Sequence, residues 1–261
     1  MEITLGGRMM EKLPIALQLY SLRDMAQKSF LKTLELTADL GYEGVEFAGY
    51  FALTSSELRD HLERLGLVPV SSHVSFERLT EHLEEEIRYN LDLGNYSLVC
   101  PAPPRGFQGS VEAWRKLGKD LTEVGKKLSD HGLRLGYHNH SFEFEKLQGV
   151  AALDIFYEAA DPRYVFAQLD LGWTLHGGED PVQYLKTLEG RCPLVHVKDF
   201  GPEQQQTDVG CGMLDLSGVL RVAEEAGVEW LIIETEVYAI SPSHSVEVGL
   251  TNLRAAQEAK L

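Results

Sequence analysis

The residues of this sequence that can do chemistry stand where short apolar runs end. Glu46 follows Gly44-Val45, His73 closes Val70-Ser71-Ser72-His73, and His138 closes Leu135-Gly136-Tyr137-His138, with His140 and Glu143 just beyond. Asp170 ends Phe166-Ala167-Gln168-Leu169-Asp170. His196 sits between two valines ahead of Lys198 and Asp199, and Glu234 follows Trp230-Leu231-Ile232-Ile233, with Glu236 two residues on. Taken singly, each has an ordinary reading: a solvated strand end for Glu46, a partnered core histidine for His73, loop imidazoles for His138 and His140, a helix cap for Asp170. Taken together, they place carboxylates and imidazoles at the ends of several different strands. An ionised Glu234 after four apolar residues is costly unless paired, and an inward His196 needs either a metal or a carboxylate beside it. Crowded carboxylates raise one another's pKa, and a divalent cation removes the conflict. Asp, Glu and His donors without thiolates suit Mn, Mg, Co, Fe or Zn.

Positioning such a set requires a repeated element. Strand-like runs fall at residues 15–20, 44–47, 67–73, 96–100, 133–138, 165–170, 194–198 and 230–234, too short for helices and apolar enough to be buried on both faces. Helical patterns lie between them, at 30–40, 81–93, 111–128, 182–188, 216–226 and 246–259. Another opens on the cap Thr54-Ser55-Ser56-Glu57 and stops at Gly66. Eight units over about 245 residues, about 31 each, match a (β/α)8 barrel. An open doubly wound sheet shows the same alternation, but no Gly-x-Gly-x-x-Gly follows the first strand. The expected architecture is therefore a single barrel over residues 1–261, with 1–13 as an N-terminal extension. In such a barrel the functional face lies at the C-terminal ends of the strands, where all of these polar residues stand.

Composition narrows the partners. With 24 Lys and Arg against 40 Asp and Glu the net charge is −16, and no basic run exceeds two residues, which argues against nucleic acid. No run is long and apolar enough for a membrane helix, and no leader is visible at the N-terminus. Three widely spaced cysteines fit a reducing cytoplasm. A small-molecule substrate is expected.

Leu19-Tyr20-Ser21-Leu22-Arg23-Asp24, Leu40 to Tyr50, Tyr137-His138-Asn139-His140-Ser141-Phe142-Glu143-Phe144, Leu169-Asp170-Leu171-Gly172-Trp173, His196-Val197-Lys198-Asp199, Val209-Gly210-Cys211-Gly212 and Ile233-Glu234 resemble, in order, the sugar phosphate isomerase/epimerase family. That family belongs to the xylose isomerase-like TIM-barrel superfamily, which also holds endonuclease IV, tagatose/psicose 3-epimerases and inosose dehydratase. The resemblance implies one divalent metal ion on Glu143, Asp170, His196 and Glu234. His138 is the alternative to Glu143, because it stands where the epimerases end strand five in Glu. It further implies catalysis by Glu143, Glu234 and His138 through proton abstraction next to a sugar carbonyl. The substrate, a sugar, keto-sugar or polyol, would meet Glu46, His73, His140, Lys198 and Trp173. Gly210-Cys211-Gly212 is a candidate phosphate cradle. An isomerase or epimerase is the expected enzyme, and a homo-oligomer is the family habit. A metal-dependent lyase on a keto-inositol or keto-glycoside is the alternative, and a sugar-binding barrel without catalysis would leave the carboxylates without a counterion. An endonuclease IV-like repair enzyme is the remote reading, since it needs a trinuclear zinc site and a basic groove.

Overall fold

The computed structural model describes residues 12–260. Eight strands, Ile15–Gln18 (β1), Gly44–Phe47 (β2), Val68–His73 (β3), Ser97–Cys100 (β4), Arg134–His138 (β5), Val165–Asp170 (β6), Leu194–Val197 (β7) and Trp230–Ile233 (β8), pair in parallel with their sequence neighbours. β8 returns to β1, so the barrel closes. This is the expected (β/α)8 architecture. The extension expected at the N-terminus lies, up to residue 11, outside the described residues. Among the described residues no helix is long and apolar enough to cross a membrane.

Side chains alternate along each strand, and this period of two builds the site. One set, with Leu17, Val45, Leu169, Val195 and Ile233, joins Leu34, Leu62, Leu121, Phe156 and Leu250 of the helices in the main core. The other set lines the barrel. Its lower layer is apolar: Ala16, Val70, Val99, Phe166, Leu194 and Ile232. Two residues further along β1, β6, β7 and β8 stand Gln18, Gln168, His196 and Glu234. The polar layer is thus the next inward layer above an apolar plug.

Local signals set the element ends. Thr54 and Glu57 form a reciprocal cap for helix Ser55–Leu65, which stops at left-handed Gly66, as expected from the sequence. β1 is shorter than the predicted run because the Gln18 side chain accepts the Tyr20 N–H and turns the chain into a 3-10 turn, Leu19–Leu22. The helix predicted over 81–93 begins at Leu83, and a separate short helix, Phe76–Glu81, which the periodicity did not predict, precedes it across His82. Helices Ala152–Ala159 and Leu171–His176 escape a periodicity reading, being short and buried on most sides.

Helix Val111–Ser129 seats against the segment entering β6, and Gly125 permits the approach: a Cβ there would overlap the Tyr164 carbonyl oxygen. Helix propensity alone favours Ala over Gly by about 1 kcal/mol, but a backbone oxygen cannot rotate away. Gly125→Ala is therefore expected to destabilise the fold by about 1–3 kcal/mol, read as a lowered urea midpoint with the slope unchanged.

Candidate metal centre at the mouth of the barrel

Glu46, on β2, is fully buried, and its carboxylate is saturated with donors. Oε1 accepts from Gln18 Nε2 at 2.7 Å and from His196 Nε2 at 2.5 Å, and lies 3.1 Å from His73 Nε2. Oε2 accepts from Ser71 Oγ and Gln168 Nε2, each at 2.5 Å. Burial works against this charge, but His73 and His196 outweigh it and hold the carboxyl well below its ordinary range. Glu46 is a buried anchor for two imidazoles, with no free oxygen left for a substrate hydroxyl. Gln18, Ser71 and Gln168 were missed by sequence reading. The available signal was a polar residue two positions from another inward one, as Gln168 is from Asp170.

With its Nε2 turned to Glu46, His196 points Nδ1 at two more carboxylates, Glu234 Oε2 at 3.0 Å and Asp170 Oδ2 at 3.9 Å. Burial alone would lower its pKa, but Glu46 and Glu234 raise it to about 10. Asp170 divides its work. Oδ1 caps helix Leu171–His176 through the Trp173 N–H at 2.7 Å, and the Asn139 side chain holds the Asp170 N–H. Oδ2 is left without a hydrogen-bond partner. The cap reading of Asp170 holds for Oδ1, while Oδ2 faces His196 and Lys198. Burial lifts its carboxyl to about 6 despite the nearby charges of Lys198 and His196.

Lys198 is buried beside this group. Its Nζ lies 2.5 Å from Glu236 Oε1, 3.1 Å from Glu234 Oε2 and 3.5 Å from Asp170 Oδ2, and 4.7 Å from the Trp173 ring centroid. Burial opposes the ammonium, but Glu234, Asp170 and Glu236 more than restore it and push its pKa up. Glu234 is held well below the usual carboxylate range, burial being outweighed by Lys198 and His196. His138 is buried, its Nδ1 has no partner, and burial with the neighbouring His196 and His73 drives its pKa down, leaving a neutral imidazole.

One potential ligand atom from each of His138, Asp170, His196 and Glu234 falls within 4.8 Å of all the others. His138 Nδ1 and Asp170 Oδ2, neither of them hydrogen-bonded, and the mixed nitrogen and oxygen donors fit a divalent transition ion. Glu143 is not brought into this group. It is buried in the wall, where Oε1 accepts the Tyr137 hydroxyl at 3.0 Å and Oε2 the His140 N–H at 2.8 Å, and burial raises its pKa to about 8. His140 and Trp173 line the mouth with unpartnered Nδ1 and Nε1 atoms. His73 stacks on His196 with ring centres 5.4 Å apart. The glycine turn offers no phosphate cradle: the Gly210 and Gly212 N–H groups both donate to Asp199 Oδ2, at 3.0 and 2.9 Å.

The family described as xylose isomerase-like TIM barrel matches residues 34–256. An inosose dehydratase of Clostridium botulinum is 24% identical over 249 residues, covering 80% of this chain and 83% of that one. A sugar phosphate isomerase/epimerase from Parabacteroides distasonis superposes with a TM-score of 0.81 at 23% identity, with 96% of each chain covered. The IOLI protein, solved with a bound zinc atom, superposes at 0.74 and 14% identity, over 95% of this chain and 99% of that one. These likenesses to solved structures establish the fold.

Glu46→Gln tests the anchor. It keeps the shape but removes the charge that faces His196 and His73 and turns an N–H group toward existing donors. Breaking a buried pair in this way is expected to cost about 3–5 kcal/mol, measured by urea unfolding of wild type and variant in the same chelating buffer.

Proposed function

The chain belongs to the xylose isomerase-like TIM-barrel family, and we propose that it is a divalent-metal-dependent lyase. In this reading it takes a proton from the carbon next to the carbonyl of a keto-sugar or keto-polyol and expels a β-hydroxyl as water. The observation that carries the reading is the convergence of His138, Asp170, His196 and Glu234 within 4.8 Å, with two of their buried atoms making no hydrogen bond. His138 takes the place in the ligand set that Glu143 was expected to fill. Two imidazoles in the set favour Zn, Fe, Co or Mn over Mg. When bound, the cation supplies a Lewis acid that polarises the substrate carbonyl.

The protein's own groups do the rest. Glu46 orients His196 through Nε2, and the Asn139 side chain and the helix cap orient Asp170. Lys198 holds Glu234 and Glu236 at the rim. Glu234, slightly exposed at the mouth, is placed to receive the α-proton. His140, a third exposed and kept neutral by burial that lowers its pKa to about 4, is placed to relay that proton to the departing hydroxyl. The free Trp173 indole N–H is available to a substrate hydroxyl.

Elimination is preferred to epimerisation because a two-faced proton transfer asks for a base on each side. Glu143, the second carboxylate implied by the resemblance, has both oxygens occupied in the wall. The relatives named inosose dehydratase support the same outcome. Epimerisation or isomerisation is the second reading, on the observation that the His138 and His140 rings stand 5.0 Å apart beside the centre, so that an imidazole can take the second role. With the Gly210 and Gly212 amides engaged by Asp199, an unphosphorylated substrate is preferred.

Metal-loaded protein incubated in deuterated water with a keto-inositol and a panel of keto-hexoses, followed by NMR and enone absorbance, separates the outcomes. Water loss with a new enone is expected. Deuterium entering recovered substrate or its epimer without water loss would replace the lyase reading with the second one. His196→Ala and Glu234→Gln are expected to abolish metal retention by elemental analysis, and His138→Ala to weaken it at least about tenfold. Glu143→Gln is expected to retain the ion; loss there comparable to His138→Ala would return Glu143 to the ligand set.

A further inference from the structure

A second cavity, of about 470 Å3, opens beside the centre at the ends of β2 and β3 and shares His73 with it. His73 faces Glu46 and Gln168 on one side, its ring lies 5.0 Å from that of His138, and it forms part of this cavity's wall. The size falls in the range of about 300–1,000 Å3 typical of small-molecule sites.

The walls are mainly apolar and aromatic: Tyr50, Phe51, Leu53, Val74 and Tyr89. Tyr50 and Tyr89 stack with ring centres 4.1 Å apart, and both hydroxyls are tied back, to Asn90 Oδ1 and to the Leu53 carbonyl. Phe51 stacks on Phe30 at 4.5 Å yet leaves 40% of its surface exposed. The charged groups in the lining leave one carboxylate in excess: the Arg78 guanidinium is held by both Glu86 and Glu85, so no free cation waits for a phosphate. The backbone is bent to make this wall. Phe51 and Ala52 both adopt left-handed conformations, at φ 50° and 61°, directly after Gly49-Tyr50, with Gly49 at 101°. Non-glycine residues held there cost free energy and persist where the surroundings over-determine them, which is commonest at ligand sites.

We propose that this cavity is a subsite for an uncharged second ring joined to the reacting sugar, so that the substrate is a glycoside rather than a free monosaccharide. This rests on the reading of the neighbouring centre as a sugar site. Aryl and glycosyl rings share the chemistry required, an apolar face that packs on aromatic side chains, and the test distinguishes them.

Phenyl and methyl β-glucosides, the corresponding β-galactosides and cellobiose are titrated against the full chain by ligand-observed NMR. On at least one sugar, a second ring is expected to improve binding about tenfold over the methyl glycoside. A gain with phenyl identifies an aryl ring, and a gain with cellobiose alone identifies a sugar ring. Leu53→Trp, which fills the cavity, is expected to bring the two-ring ligand down to the level of its methyl partner. Phe51→Ala, an exposed truncation that the fold tolerates, should cut the gain at least about threefold, while Tyr89→Phe keeps it. No gain from any second ring, or a gain that survives both Leu53→Trp and Phe51→Ala, overturns the proposal. Solvent deuterium exchange and enone formation judge the neighbouring centre separately: a cavity-dependent gain without either retains the subsite and removes the chemistry assigned next door.

Discussion

Repulsion among buried carboxylates is the constraint that organises this molecule. Glu46, Asp170, Glu234 and Glu236 come from three parts of the chain to one end of the barrel, and the first three are buried. Among the described residues two groups bridge them with positive charge. His196 lies between Glu46 and Glu234, and Lys198 lies among Asp170, Glu234 and Glu236. Each bridge touches Glu234, so the carboxylate at the mouth is fixed from two directions. In a medium of low polarity such pairing is what keeps buried charges tolerable. The scaffold meets the constraint by stacking: an apolar plug low in the barrel and, above it, a polar layer of Gln18, Gln168, His196 and Glu234, two of which are candidate donors.

That stacking explains which parts of the structure were legible in the residues. The barrel could be read because eight short apolar runs alternate with amphipathic segments and because strand direction confines function to one face. Asp170, His196 and Glu234 could be read because a charged or imidazole side chain beside a buried apolar run demands a partner. The anchoring role of Glu46 could not, since whether a carboxylate at a strand end meets solvent or five donors depends on neighbours 25 to 150 residues away. Helix Ala152–Ala159 was hidden for the opposite reason: with Ala152, Leu153, Ile155, Phe156 and Tyr157 all buried, it has little polar face to set a period.

Glu143 and His138 show where motif correspondence and geometry part. Both lie in one short segment, and the resemblance pointed to a carboxylate there. The strand runs to His138, whose side chain follows Gly136 on the inward face. Glu143 lies in the next turn, Phe142–Phe144, and satisfies the Tyr137 hydroxyl and the His140 amide. Its carboxyl thereby holds the loop that presents His140. A residue five positions beyond the inward one can contribute to the same site by fixing its wall.

The exchange of a carboxylate for an imidazole at this position changes the electrostatics of the proposed donor set. His138, Asp170, His196 and Glu234 together bring two negative charges when both imidazoles are neutral, which matches a divalent cation. A third carboxylate would leave an excess negative charge facing the substrate and would oppose charge growing on a carbonyl oxygen. With His138 in place, that growing charge meets a balanced centre, and the Lys198 ammonium lies behind it against the Trp173 ring. The same balance gives an anionic substrate little advantage, and the neighbouring cavity, its arginine already neutralised by Glu85 and Glu86, is no more hospitable to one. On the proposed reading, centre and cavity select alike, for a neutral polyhydroxylated ring whose negative charge appears only as the proton leaves.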